Sequence, residues 1–227
     1  MSTINLYRLT INHGIALTTH MKQSIILRMD MENSKRTEKL RQQYRNILRR
    51  FSNAGNYDGY FIGKVSLEFN MAADAGKMNE NRAHIIKSRE NYAELAASGD
   101  FADGYLSIHM YLMKPVSKVA AQSNSGDQNK HDVPNKCTPD MIFSKSEIFS
   151  FVSDTGDSNP IHQGEHPVVP GLLILEKLIL DFMHSFVIRF RTPLYADEPV
   201  RLVSHKVSGR MDGYRDSDGI ELFSCKY

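Results

Sequence analysis

Asp157, Asn159 and His162 stand in a D-x-N-x-x-H cluster, broken by Pro160, and five residues after His162 begins PVVPGLLILEKLIL. An imidazole can exchange a proton near neutral pH. A carboxylate close by can fix its tautomer or act beside it as the second acid or base. Asn159 can hold the loop or a substrate hydroxyl. Pro170 and Gly171 open the apolar run, and the first amides of a helix begun there have no intrahelical acceptor and carry the positive end of the helix dipole. Gly171 has no side chain, so a carbonyl oxygen can come close to its N–H, which makes an oxyanion site for an enolate. Pro and Gly are also common at helix starts for purely structural reasons.

Glu176 is the misplaced charge of that run. On a wheel of about 100° per residue it falls on the apolar arc with Leu172, Leu180 and Met183, opposite Lys177, Asp181 and His184. A carboxylate carried into apolar surroundings holds its proton more tightly. Glu176 therefore reads either as a tuned acid or base or as a structural residue hydrogen-bonded to neighbouring backbone. Together these residues supply an acid/base pair and an oxyanion donor, the ingredients for proton abstraction next to a carbonyl.

The elements that must position them follow from pattern. Ser144 and Glu147 form a capping box ahead of a short amphipathic helix that stops at Thr155-Gly156. Pro160 keeps the cluster in an irregular loop. The long apolar helix runs from Pro170-Gly171 to about His184, followed by strand-like runs at 186–191, 200–207 and 219–227, with turns at 192–199 and 209–219. One long helix followed by an antiparallel meander implies a sheet wrapped on a helix, an α+β fold.

The N-terminal half is less explicit. Residues 3–30 alternate apolar runs with turn signals and read as short strands. Ser34 to Phe51 reads as a helix, with Leu40, Tyr44, Ile47, Leu48 and Phe51 as its apolar stripe. Its Lys and Arg residues read as a solvated face, or as a docking surface for an acidic carrier protein or nucleotide phosphates. Strands are expected at 59–71 and 104–114, with a helix over Asn79–Ser98 closing at Gly99. His109, within the second of these strands, reads as a satisfied core residue. The polar stretch within 119–139 reads as a linker, which gives an N-terminal α+β half (1–118) and a C-terminal domain (140–227).

Bulk properties narrow the class. The chain has 227 residues, a 41% apolar share and a net charge of +2. That near-neutral balance argues against a general nucleic-acid binder, and no apolar run is long enough to span a membrane. The N-terminus lacks the pattern of a secretory signal, so the cytoplasm is the default compartment. Cys137 and Cys225 read as free thiols.

The segment FSKSEIFSFVSDTGDSNPIH resembles the signature and lead-in helix of MaoC-like domains and R-specific enoyl-CoA hydratases, and RFRTPLYADEPVRL resembles the strand–turn–strand that follows their long helix. The likeness covers about residues 140–208. It implies a hotdog fold, with the N-terminal half readable as a second, degenerate hotdog. It also implies that Asp157 and His162 are a catalytic dyad, that Asn159 is a motif residue, and that the Gly171 N–H lies near a thioester carbonyl. HQGEHPVVPGLLILE is similar to the segment of β-hydroxyacyl-ACP dehydratases that carries their catalytic His and Glu, here His162 and Glu176, with Pro167, Pro170 and Gly171 in register. The two resemblances agree on fold and chemistry but differ on the partner of His162. The sequence departs from both patterns. Pro170 stands where MaoC-like chains usually have a His, after a shorter excursion, and Ile161-His162-Gln163-Gly164 replaces Gly-His-Phe-Pro.

The expectation is a hydratase or dehydratase acting on (3R)-3-hydroxyacyl or 2-enoyl thioesters of coenzyme A or acyl carrier protein. No metal or redox cofactor is expected, and a homodimer is the expected assembly. A thioesterase, or a non-catalytic acyl-binding protein, is the alternative on the same fold. All of it requires that the imidazole at 162 and the amide of Gly171 face one cavity.

Overall fold

The computed structural model describes residues 19–52, 54–55, 57, 59–70, 83–114, 140–182, 185–205 and 207–227, with side chains from Glu32 onward except at 181–182. The chain separates into two units, residues 1–39 and 40–227. In the first, the described residues are helical from Thr19. The second holds the sheet, the remaining helices and the candidate site.

Helix α1 spans Thr19–Ser52. Strands β1 (Phe61–Asn70), β2 (His84–Arg89), β3 (Tyr92–Phe101) and β4 (Gly104–Met113) follow. After the undescribed stretch come α2 (Lys145–Thr155), a 3₁₀ turn (Pro160–His162) and α3 (Gly171–Phe182). Strands β5 (Phe186–Phe190), β6 (Val200–His205), β7 (Arg210–Arg215) and β8 (Glu221–Lys226) complete the chain. The eight strands make one antiparallel sheet in the order β2-β3-β4-β1-β5-β8-β7-β6. Among the described residues both halves share one plan: a helix, α1 or α3, then four strands of which the first pairs with the fourth and the last three form a meander. The halves join through β1 and β5, where Val65 faces Ile188 and Leu67 faces Phe186. The result is the expected α+β hotdog arrangement, a long helix against an antiparallel sheet.

The core lies between helices and sheet. Tyr44, Ile47 and Leu48 of α1, Leu173, Leu175 and Leu178 of α3, and the inward residues of the strands form one buried cluster. Two glycines set how closely helix meets sheet. A Cβ at Gly99 on β3 would stand 3.0 Å from Ile47, and one at Gly171 would stand 2.9 Å from the Phe190 ring on β5.

Several expectations change. Residues 19–30 are helical rather than strands, and residues 3–18 lie outside the described residues. The span 15–54 contains neither Gly nor Pro, so nothing in it breaks a helix once begun. The helix expected over Asn79–Ser98 is instead, where described, the hairpin β2–β3. Its Ala and Glu content suits a helix, but Ala93, Leu95, Ala97 and Gly99 alternate onto the buried face of β3, and this period of two prevails. The turn expected at 209–219 contains β7, whose Met211, Asp212, Gly213 and Tyr214 are buried between β6 and β8. Its polar sequence concealed a central strand. The strands expected at 59–71, 104–114, 186–191, 200–207 and 219–227 are β1, β4, β5, β6 and β8. Cys225 is a buried free thiol, and Cys137 and the linker 119–139 lie outside the described residues. No helix among the described residues is long and apolar enough to cross a membrane.

Candidate active site

Helix α2 delivers the site loop. Ser144 caps it, its hydroxyl accepting from the Glu147 N–H at 3.2 Å. Glu147 completes no capping box, because its carboxylate pairs with Lys177 of α3 at 2.9 Å. Gly156 ends α2 in the left-handed region at φ 71°, a conformation that costs glycine little, and turns the chain into the loop.

Short-range hydrogen bonds then shape the D-x-N-x-x-H cluster. The Asp157 carboxylate accepts from the Asn159 N–H at 3.0 Å. The Asn159 carboxamide oxygen accepts from the Ile161 N–H at 3.4 Å, which starts the 3₁₀ turn, while its Nδ2 donates to the Tyr60 carbonyl at 3.0 Å. Asn159 therefore holds the loop and ties it to the residue that precedes β1. The turn points His162 inward, leaving it 7% exposed. Its Nδ1 lies 2.8 Å from the Val168 carbonyl. A carbonyl only accepts, so Nδ1 carries a proton and the neutral imidazole has its lone pair on Nε2. That nitrogen faces Asp157 Oδ2 at 3.5 Å.

The Val168–Val169 backbone leads from this loop into α3. Val168 N–H donates back to the Ile161 carbonyl at 2.9 Å, and Val169 N–H donates to Leu194 at 2.8 Å. Pro170 is buried, and its carbonyl accepts from the N–H groups of Leu173 and Ile174 at 2.9 and 3.2 Å. These bonds define the first turn of α3 and leave Gly171 and Leu172 as its leading amides.

Asp157, Asn159, His162 and Gly171 all line one cavity of about 430 Å³. Most of its wall is apolar. Leu48 and Phe51 come from α1, Ile62, Leu95, Met110 and Leu112 from β1, β3 and β4, and Phe190, Leu194 and Phe223 from the C-terminal half. The imidazole and the start of α3 thus meet in a common space. Pro170 is not among the lining residues and acts through the helix turn that it starts.

Glu176 is placed differently. It is buried on α3 at 2% exposure, as its position on the apolar arc implied, but it does not line the cavity. Its Oε2 accepts from Arg45 Nε at 2.7 Å, and its Oε1 from Arg45 Nη2 at 2.8 Å and Arg41 Nε at 3.2 Å. It is therefore half of a buried, forked ion pair, and its partners are side chains of α1 rather than neighbouring backbone. Of the two candidate partners for His162, Asp157 is the one set beside the imidazole.

The basic face expected on α1 is likewise partly internal. Arg45 also donates to Asp154 Oδ2 at 2.6 Å, Arg49 donates to the Asp154 carbonyl, and Arg50 to the Ser98 carbonyl. Next to them the Tyr44 hydroxyl donates to the Leu172 carbonyl at 2.9 Å. Burial, with the Glu176 charge second, holds that phenol well above its usual range, so it remains a donor. Sequence reasoning missed these α1 residues as partners of the site. The available signal was Arg41, Arg45 and Arg49 at four-residue spacing along the edge of the apolar stripe, with a Glu on the apolar arc of another helix.

The described residues contain no cluster of three or more His, Cys, Asp or Glu side chains that could hold a metal ion. No protein-family model and no curated protein matches the chain. Among solved structures it is similar to HtdX of Mycobacterium tuberculosis, with 12% identity, a TM-score of 0.44, and coverage of 74% of this chain and 73% of that one. It is also similar to a MaoC-like dehydratase from Phytophthora capsici, with 14% identity, a TM-score of 0.43, and coverage of 76% and 73%. An acyl-ACP thioesterase from Bacteroides thetaiotaomicron is similar at 9% identity and a TM-score of 0.39, with coverage of 73% and 74%.

Proposed function

We propose that this protein is a hydro-lyase that interconverts (3R)-3-hydroxyacyl and trans-2-enoyl thioesters, carried on coenzyme A or on an acyl carrier protein. The observation that carries this reading is the meeting of the His162–Asp157 pair and Gly171, the first residue of α3, on one largely apolar cavity.

In the dehydration direction the thioester carbonyl accepts from the Gly171 N–H, where the helix dipole favours growing negative charge. His162 Nε2 takes a proton from C2, and the electron pair moves into the carbonyl as an enolate. Stabilisation of such an oxyanion by one donor is worth about 3–4 kcal/mol. The imidazolium, facing the Asp157 carboxylate at 3.5 Å, then gives that proton to the departing 3-hydroxyl, which leaves as water while the C2–C3 double bond forms, and the pair is reset. Hydration runs the same steps backwards. Asn159 shapes the loop that carries both groups. The apolar wall takes the acyl chain, and no step needs a metal or a redox cofactor. Residues 1–118 and 140–227 are proposed as paired hotdogs joined by 119–139, with a homodimer as the assembly and the cytoplasm as the compartment.

The test is hydration of a crotonyl thioester by the native protein and by His162→Ala and Asp157→Ala. Loss of general acid or base catalysis costs about 10²–10⁴-fold, so each variant is expected to fall by at least that factor with its circular dichroism unchanged. Full activity in both folded variants would dismiss this site. Release of free thiol without a hydroxyacyl product would make the protein a thioesterase, and acyl-thioester binding without turnover would make it a binding protein.

A further inference from the structure

The structure assigns Arg45 a role as the positioning residue that sets the dyad loop and the oxyanion helix relative to each other, an inference that rests on the reaction proposed above. Arg45 lies outside the cavity lining and does not touch the reacting groups. It lies behind them, with three of its nitrogens engaged. Nε and Nη2 hold both oxygens of Glu176 at 2.7 and 2.8 Å, and Nη1 holds Asp154 at 2.6 Å. The two carboxylates belong to the two elements that carry the site. Glu176 is five residues into α3, which Gly171 begins, and Asp154 stands in the last turn of α2, three residues before Asp157. One planar guanidinium thus spans from the helix of the oxyanion amide to the helix that ends in the dyad loop.

The geometry is stiff for physical reasons. Arg45 is 8% exposed and Glu176 2%, so this pair is little screened by water. The fork fixes orientation as well as distance, which a lysine ammonium cannot do. The guanidinium also lies over the Phe151 ring of α2, 5.4 Å from its centre. Tyr44, the preceding residue, holds the first turn of α3 through the Leu172 carbonyl. The brace comes from α1, so the N-terminal half contributes the support on which the C-terminal site depends. Misplacement of reacting groups by about 1 Å can cost on the order of a hundredfold in rate, and such an error falls on kcat before it falls on substrate binding.

Two variants test the role. Asp154→Ala removes the side-chain acceptor of Arg45 Nη1 while leaving the buried Arg45–Glu176 pair and the Arg49 bond to the Asp154 carbonyl in place, and the Asp154 side chain is 42% exposed, so the fold is expected to survive. Arg45→Lys keeps the charge and loses the fork. In each, kcat for enoyl-thioester hydration is expected to drop at least tenfold with KM within threefold. The ¹⁵N resonances of the His162 ring and the Gly171 amide, recorded on the full-length protein without substrate, are expected to shift. Unchanged kcat together with unmoved resonances in both folded variants would overturn the role. Shifted resonances in a protein whose native form does not hydrate enoyl thioesters would uphold the brace and defeat the reaction. Unmoved resonances in an active native enzyme would defeat the brace alone.

Discussion

Asp157, Asn159 and His162 are each held by a short-range hydrogen bond within the site loop. The Val168 carbonyl leaves His162 only one way to carry its proton, and Asp157 is fixed by the Asn159 amide as well as by its place after Gly156. This part of the site was legible in the sequence because its bonds are local: Asp157 to Asn159, Asn159 to Ile161, and His162 to Val168 all lie within six residues. Gly171 was legible as a helix start, but its closest constraint was not, since the Phe190 ring comes from another element. Gly171→Ala is therefore expected to destabilise the protein by overpacking, at about 1–3 kcal/mol. Gly171→Ala with Phe190→Leu should recover much of that loss, as read by urea denaturation. An unchanged midpoint in the single variant would mean that the ring does not press on the helix start.

Pattern reading at the element scale succeeded where one face of an element dictated its period. The β-branched and aromatic content of β1 and the apolar run of β4 marked these strands, and the apolar arc of α3 marked its buried side, but His109, expected in the core, lies on the partly exposed face of β4. Pattern reading failed where tertiary contact outweighed composition. β3 is built from helix-forming residues, but their small side chains let α1 lie close to the sheet, and β7 is polar yet central. The link between α1 and α3 was hidden for a related reason: Arg45 and Glu176 lie 131 residues apart, and neither residue names the other. Arg45→Met would leave Glu176 buried with only the 3.2 Å contact from Arg41, a defect that costs up to about 3–5 kcal/mol. Replacing both, as Arg45→Met with Glu176→Leu, should restore most of the stability, because an apolar pair avoids the desolvation of two charges. Equal stability of the single variant and the native protein in urea would show that the pair is dispensable.

Across residues 40–227, the repeated helix-and-four-strand plan explains why the cavity draws its wall from both halves. The C-terminal half brings Asp157, His162 and Gly171 to the wall, while α1, β1, β3 and β4 bring much of the apolar surface. The sequence suggested two halves but not this division of labour, which depends on the β1–β5 junction. Chain-length preference is accordingly expected to reside in the N-terminal half. Ile62→Trp, on the partly exposed β1 wall, should remove contact with about two methylenes. At about 0.8 kcal/mol each, that is worth roughly tenfold in kcat/KM for medium-chain enoyl thioesters, with crotonyl thioester nearly unaffected. An equal loss on both substrates, or none, would place the acyl chain elsewhere.

The most direct measurement is a crystal structure of the protein with an unreactive enoyl-pantetheine amide. The account predicts the ligand carbonyl within hydrogen-bonding distance of the Gly171 N–H, C2 and C3 against the His162–Asp157 pair, and the acyl chain along Ile62 and Met110. A ligand bound outside this cavity, or with its carbonyl turned away from the start of α3, would contradict it.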